Sequence, residues 1–233
     1  MSACGYKTAA VILAAGSGIR MNLNKTKQRL LICGKSVLRH SLEAYESASL
    51  VDSIIIVCRA DEIEFAEQES KSLTKVKNII IGGKTRAESA KLGFYSIFND
   101  VDFVAFHDAA RCLITPEEID AVILSARING AATASTRVTD TIKECDADGK
   151  IYRSVPRENL RAVQTPQVFL TSLYKSGIEN YSSDNEITDD NMLVEKIGVK
   201  IAAVDTSSGN IKITTSADVA LAEFIMMKRR KEI

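Results

Sequence analysis

Five short clusters carry residue types suited to phosphate chemistry. The first is Ala14-Ala15-Gly16-Ser17-Gly18-Ile19-Arg20-Met21, directly after the apolar run 9–13. Glycines after a first strand let successive backbone N–H groups turn toward an anion. The loop is not the dinucleotide fingerprint, whose third glycine would fall at Met21, and no Gly-Lys-Ser/Thr follows to make it a Walker A loop. It brings cations instead, Arg20 and then Lys27 in Lys25-Thr26-Lys27-Gln28. A phosphate cradle with two nearby cations is what charge growing on a transferred phosphoryl group requires. The same glycines also suit plain packing at a strand-to-helix turn, so the loop alone leaves both readings open.

The second cluster is His107-Asp108-Ala109-Ala110-Arg111, at the end of an apolar run. Ligands of open α/β sheets collect beyond the carboxyl ends of strands. A lone aspartate there suits Mg²⁺ when substrate phosphates complete the octahedron; as a cap of the next turn, Asp108 would be structural and Arg111 solvated. His107 reads as a packed histidine without chemistry. Gly82-Gly83-Lys84-Thr85-Arg86-Ala87-Glu88-Ser89 passes from a strand into a helix, where Ser89 could cap or touch a base. Thr188-Asp189-Asp190 fits a polar site or a helix N-cap with favourable acids. Asn210-Ile211-Lys212-Ile213-Thr214 sets one lysine between apolar neighbours, as on a strand.

These clusters need a scaffold, and the apolar pattern predicts one. Strands are expected at 9–14, 53–58, 78–81, 102–107, 131–135 and 200–204, several of them nearly unbroken Val/Ile runs suited to a sheet covered on both faces. Amphipathic segments separate them. Leu38, Leu42 and Tyr45 recur at helical spacing, and Thr115-Pro116-Glu117-Glu118 supplies a cap, an N1 proline and a capping-box glutamate. A last helix from about 216 shows Val219, Ala220, Phe224 and Met227 on one side. This alternation argues for an α/β fold of one doubly wound, mostly parallel sheet, with 1–233 as a single domain. One stretch, 139–167, breaks the rhythm with extended segments around the turn Asp146-Ala147-Asp148-Gly149. It is either a meander on its own sheet or an arm, at about 139–160, for another subunit.

Composition excludes other classes. The 233 residues hold 30 basic and 30 acidic side chains, a balance unsuited to a general nucleic-acid binder. No apolar run reaches the ~18 residues of a membrane span, and the N-terminal stretch lacks a signal layout and reads as a first strand. Five scattered cysteines without a C-x-x-C pair, beside two histidines, leave few ligands for structural zinc and point to a reducing cytoplasm.

Taken together, the clusters resemble the 2-C-methyl-D-erythritol 4-phosphate cytidylyltransferases of the non-mevalonate isoprenoid pathway. The carriers are Leu13 through Met21, Lys27-Gln28, Gly82-Gly83 with Arg86 and Ser89, and His107 through Arg111. Asp140-Thr141-Ile142-Lys143, Arg157, Gln164-Thr165-Pro166-Gln167, Thr188-Asp189 and Asn210 through Thr214 complete the set. The resemblance implies a Rossmann-like nucleotidyltransferase fold and transfer of a cytidylyl group from CTP to a polyol phosphate, with Mg²⁺ delivered by CTP. By position, it implies that Ala14, Ala15, Gly16, Gly83, Ser89 and Asp108 serve the nucleotide. Arg20 and Lys27 would stabilise the reacting phosphate, and Asp108 would help hold the metal. Arg111, Thr141, Thr165 and Thr188 would surround the acceptor, whose phosphate Arg157 and Lys212 would orient. It further implies a homodimer through the arm.

Three positions depart from the family pattern: Thr26 and Cys112 where proline is usual, and Lys84 where an acid can occur. A ribitol 5-phosphate cytidylyltransferase and a non-catalytic nucleotide-binding regulator are the alternatives. The Ala14-Ala15-Gly16 loop and Asn210-Ile211-Lys212 favour the erythritol enzyme, and retention of Arg20, Lys27, Asp108 and Lys212 argues against an idle binder.

Overall fold

A computed structural model describes residues 5–16, 26–97, 100–181 and 187–231. In chain order the strands are β1 (Thr8–Leu13), β2 (Leu31–Ile32), β3 (Lys35–Ser36), β4 (Ser53–Cys58), β5 (Val76–Ile81), β6 (Phe103–Asp108), β7 (Ala131–Arg137), β8 (Ile142–Cys145), β9 (Ile151–Val155), β10 (Arg161–Leu170) and β11 (Ala202–Asp205). The helices are α1 (Val37–Ser47), α2 (Ile63–Ser70), α3 (Arg86–Tyr95), α4 (Pro116–Asn129), α5 (Thr171–Glu179), α6 (Asn191–Glu195) and α7 (Ser216–Lys231). The expected strands all form, the one at 53–58 with its bounds unchanged.

The central sheet runs β5-β4-β1-β6-β10-β7-β11, and only β10 lies antiparallel to its neighbours. Alternation along the inner strands divides the core in two. Ala10, Ile12, Ile54 and Ile56 face Leu38, Leu42 and Tyr45 of α1 and Ile119, Val122 and Ile123 of α4. Ala9, Val11, Ile55 and Val57 face α3, α5 and α6 through Ala90, Phe94, Tyr174 and Val194. Burial on both sides explains why these strands read as continuous apolar runs. Helix α3 lies so close that a Cβ on Gly93 would come within 2.4 Å of Val11 Cγ1.

Strand β1 pairs with β4 on one side and β6 on the other, and Leu13 sits opposite Asp108. The chain reverses its direction of winding there, and the carboxyl ends of the two strands open the crevice where such sheets bind ligands. Helix α4 starts where its signature predicts. Thr115 Oγ1 accepts from Glu118 N, Glu118 reaches back to Thr115 N, and Gly130 closes the helix at φ 81°.

The stretch 139–167 divides in two. Strands β8 and β9 pair only with each other, around a turn where the Asp146 carboxylate accepts from Asp148 N and Lys150 N and Gly149 takes φ 79°. Ile151 and Tyr152 on this hairpin are 63% and 60% exposed. The remainder, β10, is an inner strand despite Pro166. Its register shifts between Val163 and Gln167, and the Thr165-Pro166 peptide is cis.

Two local expectations are corrected. Residues 211–214 form no strand; the segment is an extended loop held by Ile213 N donating to Ala110 O. Helix α7 turns Ala222 inward, with Val219, Ile225 and Met226 packed beside it, so that of the four residues named for one side Ala220, Phe224 and Met227 are exposed. Apolar residues surround α7 on so many sides that spacing could not single out the buried face. Among the described residues no helix is long and apolar enough to cross a membrane.

Candidate active site

Asp108 ends β6 inside the crevice, and both its carboxylate oxygens are matched by cations. Arg86 Nε donates to Oδ1 at 3.0 Å and Lys212 Nζ to Oδ2 at 2.6 Å. Burial pushes this carboxyl up, but Arg86 and Lys212 outweigh that and hold it well below the usual carboxylate range. A nearly buried charge is tolerable only with such partners. Backbone contacts fix its position: Asp108 N donates to Thr165 Oγ1, and Ser41 of α1 donates to Ala109 O.

Arg86 extends the network to a second acid. It stands at the first position of α3 because Thr85 and Glu88 form a capping box there. Its Nη1 donates to Asp190 Oδ2 at 2.8 Å, and burial pushes the Asp190 carboxyl up more than Arg86 and Tyr174 lower it. Besides Arg86, Tyr174 and Gln167 hold Asp190. Tyr174 donates its hydroxyl to Oδ1, Gln167 Oε1 accepts from Asp190 N, and Gln167 Nε2 binds the neighbouring Asp189. Tyr174 is itself locked against Phe106, with ring centroids 4.4 Å apart. The capping role open to this segment falls to Asp189, which accepts from Met192 N.

His107 is fully buried, and its Nδ1 lies 3.0 Å from Thr165 Oγ1. Burial lowers its pKa to about 3, in keeping with a packed, neutral ring. An unfolded chain protonates its imidazole near 6.5, so the unfolded state gains protons first as the pH falls. Stability is therefore full above that value and drains away below it. Between neutrality and about pH 5 the loss should be of the order of 1–2 kcal/mol, before Asp108 begins to titrate. Urea midpoints at the two pH values test this, and His107→Gln should flatten the difference.

The acceptor-side candidates part company. Thr165 is buried beside Asp108, and Arg111 Nη1 donates to Asn210 O, which ties it to the segment bearing Lys212. Asn210 is anchored by Nδ2 donating to Gln164 Oε1 and Thr165 O. Thr188 is exposed, with its hydroxyl 3.2 Å from Met192 Sδ. Thr141 and Arg157 lie exposed at the arm, where Arg157 donates to Thr139 O. They stand outside the Asp108 network.

On the nucleotide side, Ala14 N donates to Val57 O at 2.7 Å and sets the exit from β1. Ala15 faces Gly82 across the crevice: a Cβ on Gly82 would lie 2.7 Å from Ala15 Cβ and 2.8 Å from Ser89 Oγ. Ser89 Oγ accepts from Gly83 N and donates to Thr85 O, so it shapes the turn. Lys27 reaches the loop from below; a Cβ on Gly16 would lie 3.7 Å from its Nζ. Arg20 and the glycine at 18 lie outside the described residues.

Sequence reasoning gave no individual role to Arg86 or Gln167, read Asp190 only as part of a polar site or cap, and missed Tyr174. Arg86 stood in a recognised motif, but its partners lie 22 and 104 residues away, beyond any local pattern. No group of three or more His, Cys, Asp or Glu side chains gathers for a metal among the described residues. Two buried thiols are held protonated: burial raises Cys58 to about 11 and Cys112 to about 12.

This frame has close counterparts. Residues 8–228 match the family model for 2-C-methyl-D-erythritol 4-phosphate cytidylyltransferase. A curated protein of that name from Endomicrobium trichonymphae is 40% identical over 220 residues, covering 94% of this chain and 99% of its own. Another, from Alkaliphilus oremlandii, is 34% identical over 97% of both chains. The solved 4-diphosphocytidyl-2C-methyl-D-erythritol synthase of Anaerococcus prevotii has a TM-score of 0.85 at 28% identity, over 96% of this chain and 99% of that one. The cytidylyltransferase of Thermus thermophilus reaches 0.77 at 26%, over 95% and 99%. Agreement across nearly the whole length, in sequence and in fold alike, places this nucleotidyltransferase: the chain belongs to the 2-C-methyl-D-erythritol 4-phosphate cytidylyltransferase family.

Proposed function

We propose that the chain converts 2-C-methyl-D-erythritol 4-phosphate and CTP to 4-diphosphocytidyl-2-C-methyl-D-erythritol and pyrophosphate, for isoprenoid precursor synthesis. The observation that carries this reading is Asp108, paired with Arg86 and Lys212 at the ends of β1 and β6, beside the loop that Lys27 approaches. An acceptor phosphate oxygen attacks the α-phosphorus of CTP, and the bond to the departing pyrophosphate breaks in line. An ionised phosphate needs no strong base, so the protein's task is to position and to balance charge. Arg20 and Lys27 meet the charge that grows on the α-phosphate. Ala14, Ala15, Gly16, Gly83, Ser89 and Asp108 hold the nucleotide. Lys212 and Arg157 orient the acceptor phosphate, with Arg111, Thr141, Thr165 and Thr188 around it.

Asp108 fits a divalent cation only in company. Its oxygens already face two cations, so Mg²⁺ joins favourably when a triphosphate brings the compensating negative charge. When bound, the metal shields the triphosphate and favours pyrophosphate departure. Calorimetry should show little Mg²⁺ binding without CTP and clear binding with it. Tight binding to the protein alone would mean a ligand set other than this one.

We read residues 1–233 as one nucleotidyltransferase domain whose arm, at about 139–160, crosses to a second copy. Exposed Ile151 and Tyr152 and the separation of Arg157 and Thr141 from Asp108's network support this. Unpaired Cys33, Cys58, Cys112 and Cys145 suit a reducing cytoplasm. Pyrophosphate release from CTP with each polyol phosphate tests the reading. Turnover with the erythritol phosphate alone supports it. Preference for ribitol 5-phosphate would change the substrate, and CTP binding without turnover would leave a regulator.

A further inference from the structure

We propose that Glu62 is a positioning residue for Lys27, gripping from both sides the turn that carries this lysine; the proposal rests on the role given to Lys27 above. Glu62 closes the short helical turn Ala60–Glu62 between β4 and α2. Its side chain is only 9% exposed. A carboxylate this far from water is costly unless donors match its oxygens. Among the described residues its side-chain donors come from one turn. Thr26 Oγ1 donates to Oε1 at 3.1 Å, while Arg29 Nε donates to Oε2 at 2.9 Å and lies 3.2 Å from Oε1. Thr26 and Arg29 bracket Lys27 and Gln28.

That turn cannot hold itself. Lys27–Arg29 is a single 3₁₀ turn, closed by Arg29 N donating to Thr26 O and Leu30 N to Lys27 O. Runs this short have weak hydrogen bonds and no cooperative support. Gln28, buried within it, has no hydrogen-bond partner for its Oε1 among the described residues. The hold is supplied from the start of α2 and the turn before it: Glu62 takes Thr26 and Arg29, and the Arg29 guanidinium lies 4.2 Å over the ring of Phe65 in α2. Lys27 then extends to Gly16, where a Cβ would lie 3.6 Å from its Cε. Thr26 sits at φ −65°, the angle a proline ring would fix, and here its hydroxyl bond to Glu62 helps hold the residue in place.

If Glu62 acts through Lys27, its loss should cost rate rather than binding, because a small misplacement weakens a transition-state contact first. The test is a double-mutant cycle on the full chain with CTP and the erythritol phosphate. Glu62→Ala should lower kcat about tenfold and leave KM for CTP within about twofold. The same change should have almost no effect in a Lys27→Ala background, where no ammonium is left to position. Adding Thr26→Pro to Glu62→Ala should restore much of the rate. An unchanged kcat, or an equal loss in both backgrounds, overturns the proposal. Should Glu62→Ala fail to fold, Glu62→Gln carries the same cycle. Amide exchange at Arg29 and Leu30 gives a readout independent of turnover. Glu62→Ala should speed it at least tenfold, and unaltered exchange also overturns the proposal. An unaltered chain that makes no product from CTP would overturn the function instead, and the exchange result would still decide for or against the grip.

Discussion

Replacing Lys27 with alanine should lower kcat about a hundredfold, equivalent to roughly 3 kcal/mol in the barrier, and leave CTP binding nearly intact. The reason lies in where the ammonium stands. It approaches the loop at Gly16 rather than the Asp108 cluster, which already has two cations of its own. A cation placed where charge develops is strongest in the transition state, so its loss appears in kcat. Single-turnover rates with saturating CTP, beside direct CTP titration, separate the two effects. A raised KM with unchanged kcat would make Lys27 a binding residue.

Arg86→Met should lower the unfolding midpoint by on the order of 10 °C. Arg86 is shared between Asp108 and Asp190, and Asp190 is almost wholly buried. Removing one member of a buried ion pair strands the other, at about 3–5 kcal/mol, and a chain of this size loses about 2–4 °C per kcal/mol. The identity of the stranded group can be checked. Adding Asp190→Asn removes the buried charge while a side-chain oxygen remains for the Tyr174 hydroxyl, so it should recover at least half the loss. Calorimetric midpoints within about 2 °C of the parent for Arg86→Met alone would show that the bridge contributes little.

These two residues also mark what could be read from the sequence. Lys27 stands in a local cluster, and Asp108 ends an apolar run at the expected end of a strand, so spacing found both. Strand β4 and the start of α4 were equally legible, because unbroken Ile/Val packing and a capping box are written within a few residues. Arg86 was legible as a motif and not as a bridge. Its role depends on α3 and the segment before α6 meeting in space, and Asp190 looked like any helix-capping acid until burial and Arg86 gave it another task. Lys212 was found with the wrong backbone. Its apolar neighbours resemble a strand, whereas Ile213 packs with Ile32, Cys112 and Ala222 beyond the sheet. Strand β10 was hidden by Pro166, since proline argues against an inner strand unless the register shifts around it, as it does here.

The proposed reaction is one direct transfer at the α-phosphorus, driven by fixed cations with no protein nucleophile. His107, the neighbour of Asp108 on β6, agrees: it is buried and neutral. The most direct measurement uses CTP carrying sulfur in place of one non-bridging oxygen at the α-phosphorus, in one configuration, followed by phosphorus NMR of the diphosphate product. A single in-line attack by the acceptor phosphate predicts complete inversion at that phosphorus. Retention would mean two displacements through a nucleotide-bound protein group, and would rule out direct transfer.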